Sequence, residues 1–126
     1  MSKTQIEIMV LDDEPIVGER LKDFLEGKGL TVETFTDSSK AIERIKEKQF
    51  DVVVTDYKMD GPTGLDVLRA INELSPSTQV IVITAYATIE RIRESEALRA
   101  FEFVNKPFQL TDIHKKVLKA AKRKRK

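Results

Sequence analysis

The chain has 126 residues, which suits one domain, and its 40% hydrophobic and 34% charged residues are typical of a folded, water-soluble protein. It contains no cysteine and one histidine, which excludes disulfides, thiolate chemistry and a zinc site built from those residue types. A net charge of +1 argues against polyanion binding by bulk charge, and no apolar run approaches the roughly 18 residues that span a bilayer. Because two aspartates follow the first apolar run, we also expect no signal peptide and a cytoplasmic location.

The first half of the chain predicts three strands and two helices. Residues 6–11 (IEIMVL) are strand-like, and a helix follows because apolar residues recur at helical spacing. The recurring residues are Val17, Leu21, Phe24 and Leu25. Residues 31–35 alternate at period two, and residues 37–48 are helical with Asp37 available as a cap. Residues 51–55 (DVVVT) are apolar and β-branched, which is typical of a strand buried on both faces.

The second half predicts two further strands and three helices. A helical pattern after a loop rich in glycine and proline is carried by Leu65, Leu68, Ile71 and Leu74. Residues 80–84 (VIVIT) predict a second fully buried strand, and a fourth helix contains Ile89 and Ile92. Residues 101–104 predict a short fifth strand. The last helix is marked by Ile113, Val117 and Leu118.

Five strands that alternate with five helices indicate an α/β fold with a parallel sheet covered by helices on both faces. Such sheets bind ligands outside the carboxyl ends of their strands. Polar residues stand at four of these ends, namely Asp12, Asp13, Asp56, Thr84 and Lys106. We therefore expect them to converge, although up to 94 residues separate them.

Three clustered carboxylates repel each other, and a hard divalent cation such as Mg²⁺ would relieve that repulsion. An aspartate carboxylate can also act as a nucleophile toward phosphorus, with a lysine and a hydroxyl to stabilise the phosphoryl oxygens. The five residues thus predict a phosphoryl-transfer site. Plainer interpretations remain open: Asp12 and Asp13 as helix caps, Asp56 as a turn residue and Lys106 as a surface lysine.

Four tetrapeptides carry a family resemblance: LDDE, VTDY, ITAY and NKPF, each at the end of a predicted strand. In this order and at these intervals they resemble the receiver domains of two-component response regulators, over residues 6 to about 121. The resemblance implies a flavodoxin-like, doubly wound five-stranded sheet in the order 2-1-3-4-5. TAYATIE and FEFVNKPF are also similar to receivers of nitrogen-regulation transcriptional activators.

The resemblance also implies a role for each site residue. Asp56 would accept the phosphoryl group, and Lys106, followed by a cis bond to Pro107, would pair with its oxygens. Thr84 would be the switch hydroxyl, and Phe103 the aromatic residue that moves inward with it. Mg²⁺, for which Mn²⁺ could substitute, would be held by Asp12, Asp13, Asp56 and the backbone carbonyl of Lys58, with Asp12 acting mainly through water.

Several residues depart from the family pattern. Asp60 stands where the family usually has proline, which predicts a reshaped loop after Asp56. Arg99 stands where glycine is common, and Phe103 lacks a tyrosine hydroxyl. Lys58 and Tyr86 are at positions that influence hydrolysis of the acyl phosphate in this family, and a bulky Tyr86 predicts a phosphorylated lifetime of minutes or longer.

Two rival functions are weighed against a receiver. Haloacid-dehalogenase-type phosphatases share the strand-end aspartate, but they need a second aspartate two residues later, where this chain has Lys58. A pseudo-receiver would bind partners without phosphate, although all five site residues are intact. We therefore expect a protein that accepts phosphate and slowly loses it, and not a turnover enzyme.

The domain prediction is a single receiver over residues 1–126, with a core of about 5–121 and a basic tail at 122–126. The basic end is interpreted as a solvated helix end, an accessory contact with nucleic acid or an acidic surface, or the start of a linker, and nucleic acid is not an expected partner of the domain itself. Expected partners are a sensor histidine kinase or phosphotransfer protein and an unidentified downstream target or output domain. A phosphorylation-dependent homodimer is left open, and no membrane partner is expected.

Overall fold

The computed structural model describes residues 5–59 and 61–123. These residues form alternating strands and helices: β1 Glu7–Leu11, α1 Pro15–Glu26, β2 Thr31–Phe35, α2 Ser38–Glu47, β3 Val52–Asp56, α3 Gly64–Leu74, β4 Gln79–Thr84, α4 Ile89–Ala97, β5 Glu102–Asn105 and α5 Leu110–Lys122. The predicted order of elements is confirmed. No helix in the described part of the chain is long and apolar enough to cross a membrane.

All strands are parallel and lie in the order β2-β1-β3-β4-β5, which confirms the predicted topology. The register pairs Val10 of β1 with Val54 of β3, and Val54 with Ile81 of β4. The carboxyl ends of the three central strands are therefore level with each other. Side chains that leave these ends share one edge of the sheet, as predicted for a ligand site.

The core is divided between the two faces of the sheet. On one face, α1 and α5 pack against alternate residues of the strands, with Leu21, Leu25, Ile113 and Val117 fully buried. On the other face, α2 and α3 bury a set that includes Ala41, Ile45, Leu68 and Ile71. β3 and β4 are buried along their whole length, because helices cover both sides of them.

Some boundaries differ from the predicted ones by one residue. β3 runs to Asp56, and β5 runs from Glu102 to Asn105. At the entry to β3, the Asp51 carboxylate accepts the Glu7 N–H at 2.8 Å, so Asp51 ties the loop to β1. The predicted basic tail (residues 122–126) begins inside α5, because Lys122 is the last residue of that helix. Residues 124–126 of that tail lie outside the described residues, as does Asp60, so the predicted reshaping of its loop stays a prediction.

The end of α4 has an unusual backbone. The Arg99 N–H donates to Glu96 O at 2.9 Å and the Ala100 N–H to Ser95 O at 2.9 Å, the paired bonds of a Schellman cap. This cap requires a left-handed residue, and Arg99 adopts φ +68°. Glycine is the residue that reaches this conformation without a steric cost. Arg99, which stands where the family commonly has glycine, is therefore a strained residue at a position that suits glycine.

Candidate functional site

The predicted site residues meet at the carboxyl edge of the sheet. Asp56 and Thr84 are the last residues of β3 and β4, and Asp12 and Lys106 follow β1 and β5 directly. Asp12, Asp56 and Thr84 are buried, with 1%, 6% and 1% of their surface exposed. Polar groups placed this deep beside an apolar core indicate a functional cluster.

Three carboxylates form a compact oxygen cluster. One oxygen from each of Asp12, Asp13 and Asp56 lies within 4.8 Å of the other two, while Asp13 itself is exposed to solvent. Hard oxygen donors at this spacing suit a divalent cation such as Mg²⁺, which takes one or two carboxylates and keeps several waters. The donor set therefore fits the predicted metal.

Lys106 offsets part of this charge. Its Nζ donates to Asp56 Oδ2 at 2.8 Å and to Asp12 Oδ2 at 2.9 Å, and it lies 3.6 Å from Glu14 Oε1. The side chain is only 17% exposed, so the interpretation of Lys106 as a surface lysine is wrong. The bond from Lys106 to Pro107 is cis, as the family resemblance implied.

Burial and neighbouring charge shift the pKa values of these groups. Burial raises the pKa of Asp56, and the Asp12 charge raises it further, while the hydrogen bond from Lys106 opposes both. Burial also raises the pKa of Asp13, with added repulsion from Asp12 and Glu14. Burial lowers the pKa of Lys106, but its hydrogen bonds to Asp56 and Asp12 outweigh this and raise the pKa above its usual value. The lysine therefore stays charged.

The alternative of helix capping fails for the aspartate pair. The N-cap of α1 is Glu14, which makes no side-chain capping bond, and Pro15 begins the helix. Asp12 Oδ1 instead accepts the Glu14 N–H at 2.9 Å. Both oxygens of Asp12 are thus engaged, one by the backbone and one by Lys106.

The loop after β3 approaches the site closely. The Lys58 N–H donates to Asp56 Oδ1 at 3.3 Å, while the Lys58 side chain is exposed. The Gly64 N–H donates to Tyr57 O at 2.8 Å. A Cβ on Gly64 would lie 2.4 Å from the Asp56 carbonyl oxygen, so only glycine fits at the start of α3. This contact, which sequence reasoning missed, fixes the backbone of Asp56.

The two predicted switch residues, Thr84 and Phe103, take no part in the hydrogen bonds that join Lys106 to Asp12 and Asp56. Thr84 Oγ1 accepts the Tyr86 N–H at 3.1 Å, across the loop that leads to α4. Phe103 on β5 is half-buried and packs against the core under α3. The Tyr86 side chain is 67% exposed.

A further residue, Arg91 on α4, links the two loops beside the site. Its guanidinium lies 4.5 Å from the centre of the Tyr57 ring, a cation–π contact, and its Nη1 donates to the Tyr86 carbonyl at 2.8 Å. Tyr57 follows Asp56 directly, and Tyr86 bonds to Thr84. Sequence reasoning missed this link, because a charged residue on an amphipathic helix is ordinarily solvated.

Comparisons with known proteins agree with this geometry. The family model described as "Response regulator receiver domain" matches residues 8–118. The transcriptional regulatory protein ZraR of Klebsiella oxytoca is 30% identical over 113 residues, which are 90% of this chain and 26% of that protein. The chain thus spans about a quarter of the length of that relative.

Two solved structures are similar over almost their whole length. A response regulator receiver domain protein from Clostridium thermocellum is 31% identical with a TM-score of 0.88, covering 94% of this chain and 95% of that one. The beryllofluoride-activated NtrC4 receiver domain dimer is 30% identical with a TM-score of 0.88, covering 93% and 97%.

Proposed function

This chain belongs to the response regulator receiver domain family, and on that premise we propose that Asp56 accepts a phosphoryl group and thereby switches the surface of the domain. The observation that carries the proposal is the position of Asp56: a buried carboxylate at the end of the central strand, beside two further aspartates and one lysine.

The proposed reaction is a transfer between two nucleophiles. An Asp56 oxygen attacks phosphorus and forms a P–O bond, while the P–N bond of a kinase phosphohistidine breaks and the imidazole nitrogen keeps the electron pair and takes up a proton. With acetyl phosphate as donor, the P–O bond to acetate breaks instead. No oxidant or reductant is needed, and the product is an aspartyl phosphate.

Lys106 and Thr84 would stabilise the phosphoryl oxygens. The Lys106 ammonium already lies 2.8 Å from Asp56 Oδ2, so a small displacement would bring it to a phosphoryl oxygen. The Thr84 hydroxyl currently accepts the Tyr86 N–H. Rotation of this hydroxyl toward the phosphoryl group would give up that bond, which is how the chemistry would reach the β4–α4 loop.

Mg²⁺, or Mn²⁺ in its place, would be held by Asp13, Asp56 and the Lys58 carbonyl, and it would neutralise charge on the phosphoryl oxygens. Asp12 would act mainly through water, since Lys106 and the Glu14 N–H already occupy its two oxygens.

Movement of Thr84 would be followed by Phe103, which is half-buried on β5. The affected surface would be α4, β5 and α5. The proposed partners are a cytoplasmic sensor histidine kinase or phosphotransfer protein and a downstream target or output domain. A homodimer through this surface is a further candidate, since the NtrC4 receiver domain forms a dimer.

Receiver domains of transcriptional regulators are signalling proteins and not classical enzymes. We propose that the acyl phosphate is lost slowly by hydrolysis within the domain. The phosphatase alternative is disfavoured because Lys58, with an exposed side chain, stands where the general acid would be needed. A pseudo-receiver is disfavoured because Lys106 is already bonded to the acceptor carboxylate.

The test is intact mass after incubation with acetyl phosphate and Mg²⁺. We expect wild type to gain one phosphoryl group only with Mg²⁺, Asp56→Asn to gain none, and the matched variant Asp23→Asn, an exposed aspartate on α1, to label normally. Labelling of Asp56→Asn at the wild-type level would refute the assignment. Absence of labelling with small donors and with histidine kinases would favour the pseudo-receiver.

A further inference from the structure

A basic groove lies at the amino edge of the sheet, opposite to Asp56. It is about 660 Å³ in volume and lies between the segment that enters β5 and the last turns of α5. Five cations line it: Arg99, Lys116, Lys119, Lys122 and Arg123. Glu102 is the carboxylate among the lining residues, and Lys116 pairs with it at 3.1 Å.

The other four cations lack such partners. Within residues 5–59 and 61–123, the side chains of Arg99, Lys119, Lys122 and Arg123 form no ion pair, although they lie beside each other on one groove. Unpaired like charges on one groove repel each other, which costs the fold stability and suits an anionic ligand.

The position of Arg99 is an independent indication. Its φ of +68° is left-handed, a conformation in which glycine is unstrained and arginine is not. Backbone strain that is retained at one residue suggests a function for its side chain. Here the side chain lines the same groove as the α5 cations.

The end of α5 is also held in place at the groove. The Gln79 amide, at the start of β4, donates to the carbonyl of Arg123 at 2.6 Å. Gln79 itself lines the groove. The cations of the last turn of α5 are therefore presented from an anchored helix end, and not from a frayed one.

We propose that this basic groove binds an acidic peptide segment of a partner protein. Its lining includes Phe101 and Ala100, both half-buried, which offer an apolar contact between the cations. A peptide with carboxylates around one apolar side chain uses both features. A nucleic acid backbone would gain nothing from the apolar residues.

The groove lies at one end of the α4, β5 and α5 surface to which the proposed function assigns the switch, and it is separate from the phosphoryl site itself. Arg99 and the end of α5 lie at the amino edge of the sheet, whereas Asp56 ends β3 at the carboxyl edge. Basal binding is therefore expected to survive Asp56→Asn, so failure of the proposed phosphorylation would leave this proposal standing.

The experiment measures fluorescence anisotropy of a short labelled peptide, rich in glutamate and with one leucine, titrated with the full chain at low salt. We expect Arg99→Gly, which suits the backbone there, to weaken binding about 2- to 5-fold, and the pair Lys119→Gln with Lys122→Gln about 3- to 10-fold. Lys40→Gln, an exposed lysine on α2, should bind as wild type does. Added salt should weaken binding by wild type.

Three results would overturn the proposal. Equal binding by wild type and the groove variants would place the peptide elsewhere. Absence of binding at low salt would make the groove a solvated face. A DNA duplex that binds more tightly than the peptide, and loses affinity in the same variants, would assign the groove to nucleic acid instead.

Discussion

Replacement of Arg99 by glycine should stabilise the protein. The residue sits at φ +68° in the Schellman cap of α4, and a side chain there costs about 1–2 kcal/mol. Glycine removes that cost but lowers stability by about 0.4–1 kcal/mol, because it makes the unfolded chain more flexible. The net expected gain is about 1 kcal/mol, which for a domain of this size corresponds to about 4 °C in Tm.

Two matched variants separate backbone strain from charge. Arg99→Ala removes the same guanidinium but keeps a Cβ in the left-handed region, so it should stay close to wild type. Arg93→Gly makes the same chemical change at an exposed position inside α4, where glycine costs about 1 kcal/mol. The two glycine variants should therefore shift stability in opposite directions.

Urea denaturation followed by circular dichroism gives the free energies, and thermal melts give Tm. The order expected is Arg99→Gly above Arg99→Ala and wild type, with Arg93→Gly lowest. If Arg99→Ala gained as much as Arg99→Gly, charge repulsion in the basic groove would be the cause, and the argument from backbone strain would be wrong.

Three other predictions follow from the described contacts. Hydrogen bonds from Arg44 hold the pKa of Glu33 at about 2, so the stability that this carboxylate adds to the fold is present above pH 4.5 and lost as the pH falls toward 2. Glu33→Gln should cost about 1–2 kcal/mol of unfolding free energy at neutral pH and should make stability in urea melts less sensitive to acid, whereas Glu43→Gln should not. Mg²⁺ should raise the Tm of wild type in scanning calorimetry, and Asp13→Asn should abolish most of that rise; an undiminished rise would remove Asp13 from the metal site. Arg91→Ala should tighten binding of a beryllofluoride–Mg²⁺ phosphoryl mimic about 3-fold, because loss of the contacts to Tyr57 and Tyr86 frees the loop between β4 and α4. Arg93→Ala should leave the affinity unchanged, and equal affinities of Arg91→Ala and wild type would refute this role for Arg91.

Much of the fold could be predicted from residue type and spacing. The β-branched run at Val52–Asp56 is buried on both faces, and the alternating run at Thr31–Phe35 is a less buried edge strand in which Val32 is the one buried residue. Both follow from how side chains alternate across a strand. The convergence of Asp12, Asp56 and Lys106 followed in turn from the parallel order of the strands.

Contacts between distant elements could not be predicted in this way. The position of Arg91 over Tyr57 depends on how α4 packs over the loop after β3, and periodicity carries no information on that. The basic groove joins Arg99 to cations about 20 residues later, and it appears only once α5 is placed beside β5. Interactions of this kind depend on tertiary packing, which is not a local property of the chain.

The hydrogen bonds of Lys106 explain why phosphoryl acceptance at this site should need a metal. Two carboxylates about 4 Å apart repel each other by roughly 4 kcal/mol at an intermediate effective dielectric, and three lie within 4.8 Å here with one lysine between them. Phosphorylation would replace the single charge of Asp56 with nearly two. Lys106 would move from Asp56 to a phosphoryl oxygen while Asp12 still anchors its ammonium, which leaves Asp13 and the added charge without a cation. One lysine therefore cannot balance the product, and the exposed Asp13 is the residue through which a divalent cation would enter.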